Sequence, residues 1–168
     1  MKITSVESFV HPDFPNIIYV KIGTDAGVSG IGESYYFGRT VATFVEEFVA
    51  PTLIGLDPAN IESISRKLTT YIGALSSGVE VRAKSAVDIP LWDIKGKLAK
   101  KPIYELLGGQ SKQLPIYNTC AGRGYMRKAD QDSSAWGISD ENDQYEDLQA
   151  FLNDAGSLAK ELLTEGIG

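Results

Sequence analysis

The sequence has little of several features, and each shortage excludes a class of protein. It contains one cysteine, Cys120, and one histidine, His11. A single cysteine excludes an intrachain disulfide and favours a reducing compartment, so we expect a cytoplasmic protein. No apolar run reaches the roughly 20 residues that a membrane-spanning helix needs. The N-terminal stretch lacks the pattern of a signal peptide, and we expect neither a membrane span nor a cleaved leader.

Positive charge is also scarce. The chain has 16 Lys and Arg against 22 Asp and Glu, which gives a net charge of −6 and a pI of about 4.8. No basic cluster is dense enough to neutralise a run of phosphates, so binding to nucleic acid is not expected. The hydrophobic fraction of 43% is sufficient for a packed core. We expect a folded globular protein.

The first third of the chain alternates in the way that strands do. The segments ITSVESFVH and NIIYVKIGT are rich in β-branched residues, and a shorter strand follows from Val28 to Glu33. Asp25-Ala26-Gly27 supplies the turn between the second and third strands. These segments predict a three-stranded antiparallel meander.

Helical periodicity follows the strands. Apolar residues recur at helical spacing from Val41 to Val49, which predicts a first helix. A second helix is expected to have Asp57 as its cap and Pro58 at its first position. A third covers Ser85–Lys100, and a short fourth starts at Pro102 and ends at Gly108-Gly109. The third of these helices contains Pro90. A proline in a helix interior removes a hydrogen bond, so we expect a local bend between Ala86 and Pro90 but no loss of the helix.

The pattern changes again after residue 112. The segment LPIYNTCAG predicts a buried strand, a polar loop covers residues 123–144, and an amphipathic helix ends before Gly166. One strand with its crossover helix is the first unit of a parallel α/β arrangement and cannot bury its apolar stripe alone. We therefore expect two domains, 1–112 and 113–168, and expect the chain to be the front part of something longer.

Three features of the chain resemble the enolase superfamily, in its mandelate racemase and muconate lactonizing enzyme branch. They are the hairpin TDAGVSGIGES, the helix and stop SAVDIPLWDIKGKLAKKPIYELLGG, and the order of the elements from meander to opening strand. The resemblance implies an α+β capping domain, made of a three-stranded antiparallel meander plus helices. It also implies that residues 113–168 start a modified (β/α) TIM-type barrel, whose C-terminal mouth the capping domain closes.

The resemblance further implies a Mg²⁺-dependent lyase or isomerase that abstracts the proton alpha to the carboxylate of a small molecule. A sugar acid is the expected substrate, dehydration is the leading reaction, and a homo-oligomer is the expected assembly. Racemization or cycloisomerization within the same family stays open, as does a stand-alone cap-like domain with a binding or structural role. In the family, the catalytic lysine and the carboxylates that hold Mg²⁺ lie on later barrel strands. They would fall beyond Gly168, so these 168 residues alone are expected to lack catalytic and metal residues.

Two loops of the family's capping domain cover the substrate, and the resemblance places them here in HPDFPN and after the third strand. The candidate substrate-binding residues are His11, Phe14, Tyr36 and Phe37 in these loops, Thr119 at the end of the barrel's first strand, and Arg123 and Tyr125 in the loop after it. The alternatives are ordinary surface or core aromatics for the lid group, barrel packing for Thr119, and a solvated loop for Arg123 and Tyr125.

Two other groups have weaker functional interpretations. GIGES is not a dinucleotide-binding fingerprint, because Tyr35 stands where a third glycine is required. The carboxylates Glu33, Asp88 and Asp93 could be catalytic by residue type. We expect instead that Glu33 anchors a loop and that the two aspartates make contacts within the capping domain or face water.

Overall fold

The structure is a computed structural model that describes residues 1–12, 15–69, 78–116 and 148–167, with the side chains of 148–151 excepted. It divides into two compact units, Met1–Gln110 and Ser111–Gly168. This division falls two residues before the predicted boundary at 112. The assignment of residues 113–168 to a separate barrel domain stays a prediction.

The first unit is built on a three-stranded antiparallel sheet in the order β1-β2-β3. The strands are β1, Ile3–Val10; β2, Ile17–Thr24; and β3, Ser29–Tyr35. Gly27, with φ of 73°, makes the turn between β2 and β3, and the Thr24 hydroxyl closes that turn by donating to the Val28 carbonyl at 2.7 Å. The predicted meander is confirmed.

Helices follow the sheet, and one continuous helical segment comes first. This segment consists of α1, Gly38–Phe44; a π-helical turn, Val45–Val49; and α2, Ala50–Leu53. The later helices are α3, Ile61–Thr69; α4, Val79–Ala99; α5, Ile103–Leu106; and, in the second unit, α6, Leu148–Thr164.

The start of α3 corrects one prediction. The helix begins at Ile61, and the Asn60 carbonyl accepts the Ile64 amide at 3.0 Å. Asp57 belongs to the turn before it, because its carboxylate accepts the Ala59 amide at 3.1 Å. The prediction of Asp57 as the cap, with Pro58 opening the helix, was therefore wrong. The aspartate stabilises a local turn, which competes with helix capping for the same side chain.

The helix α4 runs through Pro90 and packs directly on β3. A Cβ atom added to Gly32 would lie well inside 3.0 Å of both the Ala86 carbonyl and Pro90 Cδ, and one added to Gly30 would overlap the Pro90 carbonyl. Pro90 has no amide to give to the Ala86 carbonyl four residues earlier. The glycines let that carbonyl approach the strand, so the proline is accommodated by the sheet beneath it.

The core lies between the sheet and the helices. Its fully buried side chains are Ile3, Ile18, Val20 and Ile22 from the sheet and Val41, Val45, Val49, Leu53, Ile64, Ala83, Ala86, Val87, Leu91 and Ile94 from the helices. Successive strand residues point to opposite faces, so the alternate residues of β2 form one apolar face. The helical stripe over Val41–Val49 meets the sheet, while the stripe on α3 packs against α4 and joins the same core.

Side chains of α4 also cover the outer edge of β3. The Asp93 carboxylate accepts the Ile31 amide at 3.0 Å, and Lys97 Nζ donates to the Ser29 carbonyl at 2.8 Å. Asp93 and Lys97 pair with each other at 2.7 Å, one helical turn apart. The expectation that Asp93 makes contacts within the capping domain is confirmed.

The second unit is described in part. Residues 111–116 are exposed and contain no strand, while residues 117–122 of the predicted strand lie outside the described residues. The predicted amphipathic helix is present as α6, with non-helical angles at Asp154 (φ −132°, ψ 29°). Leu158 is buried, but Leu152 and Leu163 are 61% and 68% exposed.

We predict that Gly32→Ala lowers the free energy of unfolding by about 2 kcal/mol, because the new methyl group meets a helix backbone that cannot move aside. Gly23→Ala in β2 is the matched control, since its methyl group would meet only the Ser5 hydroxyl, at 2.6 Å, and that side chain can rotate. Urea unfolding followed by circular dichroism measures both. Equal stabilities for the two variants would contradict the close packing of α4 on β3.

Candidate functional site

The two predicted lid segments lie side by side at one end of the sheet. Ile17, which opens β2, is the register partner of Tyr35, which ends β3. A Cβ atom added to the buried Gly38 would overlap the Pro15 carbonyl, so the chain after β3 touches the loop before β2. We call Tyr35–Phe37 the aromatic turn and residues 11–16 the β1–β2 loop. The two segments are therefore neighbours in the structure, while their role as a substrate lid stays a prediction.

The aromatic turn has an unusual backbone. Tyr36 and Phe37 have φ values of 65° and 56°, so two successive bulky residues adopt the left-handed conformation. Each such residue costs roughly 1–2 kcal/mol relative to an ordinary conformation. Strained residues persist only where the surroundings hold them, and they cluster at functional sites. The turn is therefore a structural candidate for function, independent of any resemblance.

Arg82 on α4 contacts the turn through both its backbone and its rings. Its Nη1 donates to the Tyr35 carbonyl at 2.7 Å, and its guanidinium carbon lies 4.8 Å from the centre of the Tyr36 ring and 5.2 Å from that of Tyr35. The rings also contact one another, with centroids 5.0 Å apart for Tyr35–Tyr36 and 6.1 Å for Tyr36–Phe37. The sequence interpretation missed Arg82, since no spacing links it to residues 47 positions earlier.

The surface of this site is aromatic and accessible. Phe37 is 63% exposed, Tyr35 is 50% exposed, and His11 is also exposed. Flat rings can pack against the carbon skeleton of a small molecule, and phenol and imidazole groups can hydrogen-bond its oxygens. The described residues of this site therefore suit binding and the exclusion of water.

No metal centre is formed within the ranges that the structure describes. Those residues contain no cluster of three or more His, Cys, Asp or Glu side chains able to hold an ion. Asp88 lines an open cleft of about 530 Å³ between α3 and α4, beside Trp92 and Lys95. Glu33 is exposed on the outer face of the sheet. The described residues thus do not fit a resident Mg²⁺ ion.

Four predicted site residues cannot be placed. Phe14, Thr119, Arg123 and Tyr125 lie outside the described residues. Of the seven candidates, the structure brings together His11, Tyr36 and Phe37 at one end of the sheet.

Among helices in the described ranges, none has the length and apolar character to cross a bilayer.

Comparison with known proteins gives a family match over most of the first unit. Residues 8–108 match the family described as mandelate racemase / muconate lactonizing enzyme, N-terminal domain. A D-galactonate dehydratase family member from Marinomonas sp. (strain MWYL1) is 43% identical over 127 residues, 73% of this chain and 31% of the relative. A D-mannonate dehydratase from Novosphingobium aromaticivorans is 45% identical over 127 residues, with the same coverage.

A solved structure agrees with these relatives. An enolase of the mandelate racemase subgroup from Agrobacterium tumefaciens superposes with a TM-score of 0.67 at 42% identity, covering 74% of this chain and 34% of that chain. The chain spans about a third of the length of the curated relatives it matches.

The strain in the aromatic turn yields a prediction. Phe37→Gly should raise the free energy of unfolding by about 1 kcal/mol, because glycine adopts a positive φ without a steric penalty. Phe9→Gly is the control, since Phe9 is 50% exposed but lies in β1. There, glycine should destabilise the strand. Urea unfolding of both variants tests the prediction, and a loss of stability in Phe37→Gly would contradict it.

Proposed function

The chain belongs to the mandelate racemase / muconate lactonizing enzyme family, and we propose that it forms the N-terminal part of an acid-sugar dehydratase. Relatives that are 43% and 45% identical and are named as sugar-acid dehydratases support this proposal. The structural observation that carries it is the meeting of two loops around an exposed, strained aromatic turn at one end of the sheet.

Dehydration of a sugar acid requires two bonds to break. A base removes the proton from the carbon next to the carboxylate, the hydroxyl group on the following carbon leaves as water, and the resulting enol becomes a 2-keto-3-deoxy acid. Mg²⁺ supplies charge stabilisation for the carboxylate side of such a reaction. The described residues contain no cluster able to hold that ion. Because the chain spans about a third of the length of its relatives, we propose that the ligands and the base belong to the barrel of the complete protein.

The contribution of this chain is to bind the substrate and to exclude water. In the proposal, His11, Tyr36 and Phe37 form the described part of a lid over the bound acid sugar. Closure of such a lid removes water from the site and strengthens the electrostatic interactions within it. Phe14, Thr119, Arg123 and Tyr125 are retained as further substrate-binding residues on sequence grounds. A homo-oligomeric state and a cytoplasmic location also remain predictions.

The test uses the protein encoded by the complete reading frame. We expect it to convert D-mannonate or D-galactonate to the 2-keto-3-deoxy acid in the presence of Mg²⁺, detected as the semicarbazone. A chelator should abolish turnover, and added Mg²⁺ should restore it. The 168-residue chain assayed alone is the matched control and should show no turnover.

Other outcomes distinguish the alternatives. Exchange of the alpha proton with solvent deuterium, without loss of water, would favour a racemase over a dehydratase. A reading frame that ends at Gly168, with no activity on any acid sugar, would contradict the enzyme proposal and favour a binding or structural domain. Turnover by the 168 residues alone would contradict the assignment of catalysis to later sequence.

A further inference from the structure

We propose that Arg82 is a positioning residue that holds the aromatic turn in its substrate-binding conformation and thereby lowers the KM for the acid sugar. The proposal rests on the proposed dehydratase function, but its structural part stands on the contacts around Arg82. The sequence pattern alone does not point to this residue.

Arg82 is carried by a rigid element. The helix α4 is continuous from Val79 to Ala99 and packs on β3. Its later residues Asp93 and Lys97 bond the Ile31 amide and the Ser29 carbonyl, and Arg82 bonds the Tyr35 carbonyl at the other end of the strand. Because α4 and β3 are held together at both ends, the guanidinium has a fixed place relative to the turn.

The contacts of Arg82 act on the backbone torsion that makes the turn unusual. The Tyr35 carbonyl belongs to the peptide plane that also carries the Tyr36 nitrogen, and φ of Tyr36 is the rotation about the bond from that nitrogen. The hydrogen bond at 2.7 Å fixes this plane, while the guanidinium lies over the Tyr36 ring at 4.8 Å. One side chain thus restrains both the peptide before Tyr36 and its ring.

The geometry requires arginine and not simply a positive charge. A guanidinium is planar, so it can lie over an aromatic ring while its edge donates to a carbonyl. A lysine ammonium is a point charge on a flexible stem and cannot reproduce both contacts at once. Substitution by lysine should therefore restore only part of the effect.

An amide in α1 reports on the turn directly. The Val41 amide donates to the Phe37 carbonyl at 2.9 Å in the first turn of the helix. If the turn leaves its left-handed conformation, the Phe37 carbonyl moves and this hydrogen bond opens. Hydrogen exchange at Val41 therefore measures how long the turn stays in place, without reference to catalysis.

The link to substrate is a population effect. A site that is formed only part of the time binds with an affinity reduced by the formed fraction. Loss of the Arg82 contacts lowers the fraction of free molecules that have the turn in place. Substrate binding must then bring the turn back into place, and the free energy needed for this weakens the observed affinity. The KM should therefore rise more than kcat falls.

The experiment compares Arg82→Met and Arg82→Lys in the protein from the complete reading frame. We expect Arg82→Met to exchange the Val41 amide about tenfold faster and to raise KM about tenfold with kcat within about twofold, and Arg82→Lys to lie between it and the unaltered protein. Lys95→Met is the matched control, because Lys95 lies on the same helix and over an aromatic ring, that of Trp92, at 4.7 Å. It should change neither quantity.

Unchanged Val41 exchange and KM in Arg82→Met would overturn the proposal, as would faster exchange with an unchanged KM. If Arg82→Met does not fold, the folded Arg82→Lys variant decides by the same two measurements. Lack of turnover by the unaltered protein would instead refute the dehydratase proposal. The Val41 exchange rates would then still decide whether Arg82 positions the turn.

Discussion

The close approach of α4 to β3 is the constraint on which the first unit depends. Two residues of a strand advance by about 6.7 Å and four residues of a helix by about 6 Å, so Gly30 and Gly32 can each face one carbonyl of successive helical turns. Because Gly30 and Gly32 have no side chain, the backbone of α4 can pack in direct contact with β3. The same contact brings Asp93 to one end of β3 and Arg82 to the other. Removal of either glycine would displace all of these interactions together.

Much of this architecture was predictable because it rests on local patterns. The strands alternate, the helical stripes recur, and the turn at Gly27 has its expected residue type. The roles of Gly30 and Gly32 were not predictable, because nothing in GIGES shows that a helix from sixty residues later packs against them. The sequence predicted that α4 continues through Pro90, as it does, but not that the carbonyls of Ala86 and Pro90 lie against Gly32 and Gly30. The prediction of Asp57 as a helix cap failed because an aspartate side chain can accept a backbone amide in a turn as well as at a helix start, and here it accepts the Ala59 amide in a turn.

The candidate site divides in the same way. The resemblance to a family led to His11, Tyr36 and Phe37, and the registers of β2 with β1 and with β3 explain why these residues share one end of the sheet. The left-handed conformation of Tyr36 and Phe37 had no signal, since the residues that favour it, glycine and asparagine, are absent from the pair. Arg82 had none either, because a charged residue near a helix start usually faces solvent. Such tertiary restraints can be found only once the elements are assembled.

Some backbone groups on both borders of the sheet form hydrogen bonds to partners other than a strand. At β1, the Ile3 amide and carbonyl bond the backbone of Leu56 and Gly55, and at β3 the long polar side chains of α4 take the outward-facing groups of Ser29, Ile31 and Tyr35. Unpaired backbone groups along the border of a sheet can hydrogen-bond a strand of another molecule, which leads to fibrils or to exchange of segments between molecules. During synthesis, when many identical chains are crowded on ribosomes, each backbone group taken up in this way is one fewer place where a neighbouring chain can add a strand, so the docking of α4 on β3 disfavours misassembly at that border.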